Sequence, residues 1–152
     1  MSGIPRPALV IGYLGLVPFI YAVALLFARP GSLPTFGVAP SGPDGGLHVL
    51  EFFGAAILAF MGGCLWGFAS APPRTPRWPL LLASGVPVIA AYFAIQTHPE
   101  RSCVFLAFGF VVLQAIDIAF QRLGVAPPYW LGLRLPLTAG VMTCLLIGAI
   151  HG

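Results

Sequence analysis

His48, Glu51, His98, Cys103 and His151 are the residues best suited to chemistry in this chain, and all five fall near the ends of apolar stretches. Glu51 follows His48 at i+3, and Glu100 follows His98 two residues on. Imidazole, carboxylate and thiolate are the ligands that a zinc or copper ion takes, so a metal or thiol site on one face of the molecule is one reading. The plainer reading is that short polar connections collect such residues anyway, and no metal is expected. Cys64, Cys103 and Cys144 are odd in number and lack CxxC spacing, so neither a disulfide framework nor a zinc site is indicated. There is no GxSxG and no Ser-His-Asp set, and no enzymatic activity is expected. No histidine lies deep in an apolar stretch, which argues against a bis-histidine haem. The sequence leaves any other cofactor open.

Asp117 and Arg134 are the two charged side chains that lie clearly inside apolar stretches. A charge at the centre of a membrane helix costs about 2.5–3.5 kcal/mol on the mildest insertion scale. Both residues come within about 6–8 Å of the same end of their stretches, at 1.5 Å per helical residue. Opposite sign at similar depth predicts a mutual ion pair. A proton relay would need a longer chain of such groups, and only Gln114, Gln121 and Arg122 lie nearby.

The elements that carry these residues follow from composition. Of 152 residues, 59% are hydrophobic and 7% charged, against about 25% charged in a soluble domain, which places the chain in a lipid bilayer. The net charge of +3 comes from scattered arginines without a basic run, so no nucleic-acid partner is expected. Five stretches reach the length a membrane helix needs, at approximately 8–28, 47–69, 79–96, 102–121 and 129–150, which predicts one all-α domain over 1–152. Connections such as "APPRTPRW" and "RLGVAPP" carry helix-stopping residues. The first stretch is too long for a signal peptide and is expected to be retained.

With five crossings, Arg6, Arg74, Arg77 and Arg122 share one side, joined by Arg134 just inside it, and Arg29 and Arg101 take the other. The positive-inside rule then predicts N-in, C-out. Trp66, Trp78 and Trp130 fall at the inner ends, where an interfacial belt would sit. Taken at four-residue spacing, Ala55, Ala59, Gly63 and Gly67 form a small-residue ladder on the second stretch, expected to pack closely on a neighbouring helix or a partner protein. Pro18, Pro87 and Pro136 lie near mid-span in the three helices that run outward. They could mark hinges around a polar cavity. Proline is also common in membrane helices generally, and intramembrane charge at mid-depth is missing.

Five stretches carry a resemblance to a known family: "LGLVPF" at 14–19, "FGAAILAFMGGCLWG" at 53–67, "SGVPVIAAYFA" at 84–94, "GFVVLQAIDIAF" at 109–120 and "PPYWLGLRLPLT" at 127–138. Together they resemble domain of unknown function 3429, a family that includes the animal transmembrane protein 69. Leu65 stands where that family usually has a histidine before the tryptophan. The resemblance implies a five-helix inner-membrane protein and assigns no activity. The sequence therefore predicts a multi-pass protein of a bacterial inner membrane or the mitochondrial inner membrane. It is expected to be an accessory or assembly subunit of a larger respiratory or photosynthetic complex, with other membrane subunits as partners. The alternative is a small-solute transporter or channel around the proline-broken helices.

Overall fold

Prolines start the helices. In a computed structural model, which describes residues 3–29, 31–32, 34, 42–71, 77–95 and 98–151, the helices are α1 (Arg6–Leu14), α2 (Val17–Phe27), α3 (Pro43–Ser70), α4 (Trp78–Ala94), α5 (Pro99–Arg122) and α6 (Trp130–His151). Pro7, Pro18, Pro43, Pro79 and Pro99 each occupy the first turn of a helix, where the missing N–H would have no intrahelical partner in any case. Helices α1 and α2 together form the first span, Arg6–Phe27. They part at Gly15–Leu16, where Leu16 N–H reaches back only to Tyr13 O, at 3.0 Å. Pro18 has no N–H to offer Leu14 O, so the regular ladder cannot run through this point.

Among the described residues, four segments are candidate membrane spans and a fifth helix is apolar but shorter. Arg6–Phe27, α3, α5 and α6 are each long and apolar enough to cross a bilayer, and α4 is a shorter apolar helix of 17 residues. At 1.5 Å per residue α4 reaches about 26 Å, somewhat less than the hydrocarbon thickness of ~30 Å. Apolar side chains lie both inside and outside, as a lipid solvent permits. Leu50, Leu58, Leu106, Phe110, Leu113 and Leu145 are completely buried, whereas Phe60, Leu82, Tyr92, Phe108 and Ile150 are exposed.

Helix α3 is the central element, packed on α2, α4, α5 and α6. Two of its glycines let backbones touch. A Cβ at Gly46 would lie 2.6 Å from Ala22 O of α2, and one at Gly62 would lie 2.8 Å from Ser84 O of α4. Gly54, between them, faces Leu106 of α5 and Leu145 of α6. Positions eight apart rotate by about 80° around a helix, so each glycine meets a different neighbour.

The ladder expected from four-residue spacing is not this seam. Ala55 is buried and Ala59 half-buried against the core. Gly63 and Gly67 are exposed, with nothing within 4 Å of where a Cβ would be. Four residues turn a helix by about 400°, so the ladder drifts by about 120° between Ala55 and Gly67. Its first half faces protein and its second half faces outward. The prolines differ among themselves too. The helix is interrupted at Gly15–Leu16, just before Pro18, but Pro87 and Pro136 sit within continuous helices, and Pro87 is buried against Gly62.

Candidate functional site

The centre around Asp117 is built by the α5–α6 hairpin. At the end of α5, Val125 N–H bonds Phe120 O at 2.9 Å and Gly124 N–H bonds Gln121 O at 3.0 Å. Gly124 holds φ at 63°, the left-handed conformation that closes a helix in this pattern with little strain only for glycine. Val125 and Ala126 turn inward and are buried, and α6 starts at Trp130, whose N–H bonds Pro127 O at 2.9 Å. Trp130 and Arg134, one turn apart, then share a face of α6 directed at α5.

Both side chains end on one carboxylate. Trp130 Nε1–H donates to Asp117 Oδ1 at 2.6 Å, and Arg134 Nε–H donates to Asp117 Oδ2 at 3.1 Å. Asp117 is fully buried, and Arg134 and Trp130 are nearly so. The indole ring also meets Phe68 of α3 edge-on, with ring centroids 4.8 Å apart, so the third long helix is tied to the pair. Both carboxylate oxygens thus have a strong donor, as a buried charge requires. Asp117 and Arg134 are brought together. Trp130 is not the interfacial anchor its type suggested, because its N–H has an internal acceptor; Trp66 and Trp78 are exposed.

The opposite end of the bundle holds a second buried carboxylate. Glu51, on α3, accepts a hydrogen bond from Ser102 Oγ of α5 at 2.6 Å, and both are buried. His48 Nδ1 lies 3.5 Å from Glu51 Oε2, with its ring partly exposed. Sequence reasoning missed Ser102, because its partner is 51 residues away and a serine in the first turn of a helix gives no long-range signal. Ser102→Ala is expected to lower stability by about 1.5–3 kcal/mol, the range for a hydrogen bond to a charged group. Ser102→Thr, which keeps the hydroxyl, should lose less in the same thermal unfolding assay.

The remaining candidates at that end do not converge. His98 Nδ1 lies 3.5 Å from Glu100 Oε1 at the surface, and the His151 ring meets Phe27 with centroids 5.2 Å apart. Cys103 is buried, with Sγ 3.1 Å from where a Cβ of Gly148 would be. Among the described residues, no three His, Cys, Asp or Glu side chains group in a way that could hold a metal ion. Between the two carboxylate centres the core includes Leu58, Leu106, Phe110 and Leu145, all completely buried. From Ser102 to Gln114, the first polar side chain beyond it on α5, the helix rises by about 18 Å.

The family described as "Protein of unknown function (DUF3429)" matches residues 4–150. The chain is 31% identical to Transmembrane protein 69 of Xenopus tropicalis over 150 residues, covering 96% of this chain and 54% of that protein. It is 30% identical to Transmembrane protein 69 of Mus musculus over 93 residues, covering 60% of this chain and 34% of the mouse protein. The chain thus spans about half the length of the Xenopus relative and a third of the mouse one. No solved structure matches it. Apolar helices, four of them long enough to cross a bilayer, and a family match along nearly the whole length agree: the chain is a multi-pass membrane protein and belongs to the DUF3429 family.

Proposed function

We propose that this protein is a non-catalytic accessory or assembly subunit of a larger inner-membrane complex, with an energy-converting complex the first partner to seek. One observation carries the reading. The two buried carboxylates are held by donors from this chain and are separated by fully buried leucine and phenylalanine side chains. Such groups brace helices against one another, and a polar route across the bilayer would need them joined. The result is a bundle whose outward face is largely apolar, suited to being recognised within the membrane. The test is purification from native membranes in a mild detergent, followed by native electrophoresis and identification of companions. A stoichiometric set of other membrane subunits supports the reading. A chain that runs alone, as a monomer or a symmetric oligomer, overturns it.

The proposal includes an orientation, N-in and C-out. Arg6, Arg77 and Arg122 are exposed at the end where the chain begins, and Arg29 and Arg101 at the other; Arg74 lies outside the described residues. Lysine and arginine near helix ends set orientation through the cytoplasmic excess of positive charge. A reporter fused after Gly152 is expected to work only when it requires export. Activity of a reporter that folds solely in the cytoplasm, at the same position, reverses the assignment.

A further inference from the structure

The α5–α6 seam holds more polar atoms than the Asp117 pair uses. Gln114 Oε1 and Nε2, Gln121 Oε1, Arg134 Nη2 and Thr138 Oγ1 are all buried and have no hydrogen-bond partner among the described residues. Arg134 and Thr138 are themselves only 5% and 7% exposed. The antiparallel register that sets Cys103 against Gly148 and Asp117 against Arg134 also sets Gln114 level with Leu137 and Thr138. Gln114 and Gln121 lie on the same flank of α5 as Cys103, the flank that faces α6. These atoms therefore share one seam and do not scatter over the bundle.

Their chemistry narrows what can satisfy them. Arg134 Nη2 and Gln114 Nε2 donate, the two glutamine oxygens accept, and the Thr138 hydroxyl does either. Asp117 already balances the charge of Arg134, so an anion or cation would leave the seam with an unmatched charge, which is disfavoured in a low-dielectric interior. A direct bond between Gln114 and Thr138 would leave Arg134 Nη2 and Gln121 Oε1 as they are. The remaining partner is small, neutral and both donor and acceptor. Buried water in proteins makes about three hydrogen bonds to such otherwise unpaired groups.

We propose that the α5–α6 seam binds a short string of ordered water, entering at the amino-terminal end of the bundle past Gln121 and ending between Gln114 and Thr138. Gln114 lies eight residues from the end of α5, about 12 Å in. Beyond it Phe110, Leu106 and Leu145 are fully buried and stop the string. The site is a blind polar crevice that wets the Asp117–Arg134 pair from one side only.

Water-edited solid-state NMR of the isotope-labelled full chain in lipid bilayers tests this, with water itself as the probe. Magnetisation from water is expected to reach the Gln114 amide and the Arg134 guanidinium several-fold faster than it reaches Phe110 or Leu145. Exposed Arg122 marks the fast limit. Build-up at Gln114 and Arg134 as slow as at Phe110 overturns the proposal, whether the seam is closed by a Gln114–Thr138 bond or otherwise dry. Thr138→Val keeps the shape and removes the hydroxyl, and should slow the transfer to Gln114. Thr143→Val removes an exposed hydroxyl that bonds Ala139 O at 2.9 Å, and should not. Equal effects of the two substitutions would remove Thr138 from the site. If Thr138→Val fails to fold, the unsubstituted profile decides alone.

Discussion

Asp117→Asn is expected to lower the stability of the detergent-solubilised protein by about 3–5 kcal/mol, the range found when one partner of a buried ion pair is removed. Asparagine has nearly the shape of aspartate, so packing is preserved and the loss reports on charge. What remains is the Arg134 guanidinium, 5% exposed, facing an amide where it had a carboxylate. Arg134→Met should fall in the same range, for the mirror-image reason: the carboxylate keeps only the Trp130 donor at 2.6 Å. The double substitution Asp117→Leu with Arg134→Met should recover part of the loss, since apolar replacement of a whole buried pair is often close to neutral but the Trp130 N–H loses its acceptor. Thermal unfolding of the four proteins measures this directly. Single losses below about 1 kcal/mol, the scale of an exposed pair, would mean that the pair does not brace the helices.

The second large effect separates two adjacent residues. Gly62→Leu should destabilise the bundle by about 1–3 kcal/mol or more, because the new side chain must push α4 away from α3. The obstacle is backbone, Ser84 O at 2.8 Å from the first added atom, with Val88 Cγ2 at 3.0 Å. A flexible side chain could move aside there, but a helix backbone cannot. Gly63→Leu adds the same atoms on a face where nothing lies within 4 Å. It also replaces a residue that weakens helices by about 1 kcal/mol relative to alanine, so its melting temperature should stay at or above that of the parent. Equal losses at the two positions would refute the assignment of α4 to the Gly62 face.

The contrast between Gly62 and Gly63 also shows where reading a sequence stops. Spans were legible because a bilayer demands about 20 apolar residues and prolines mark where helices begin. The Asp117–Arg134 pair was legible because burying either charge alone is costly, so equal depth and opposite sign identify partners. The packing face was not. A ladder of small residues gives the right residue types, but neighbouring glycines point about 100° apart around the helix, and which of the two meets another helix depends on where the other helices lie. Trp130 was misread for a related reason: an indole has both an apolar body suited to the interface and an N–H that can bond a buried acceptor. Only the fold shows that Asp117 lies 2.6 Å away. The Ser102–Glu51 contact is a product of α3 and α5 packing, and no local pattern announces it.

The hairpin geometry around Gly124 has a bearing on how the chain enters the membrane during synthesis. Presented to the lipid separately, α5 would carry an unpaired Asp117 and α6 an unpaired Arg134, each opposed by about 2.5–3.5 kcal/mol near a helix centre and by less toward its end. The partners sit 13 and 17 residues from Asp117, within one helix–turn–helix unit whose turn is fixed by its own backbone hydrogen bonds. The donors and the acceptor of this centre thus all lie within α5 and α6. A hairpin of α5 and α6 that enters the bilayer as a pair would carry both charges already matched, whereas α5 alone would present its carboxylate without a partner.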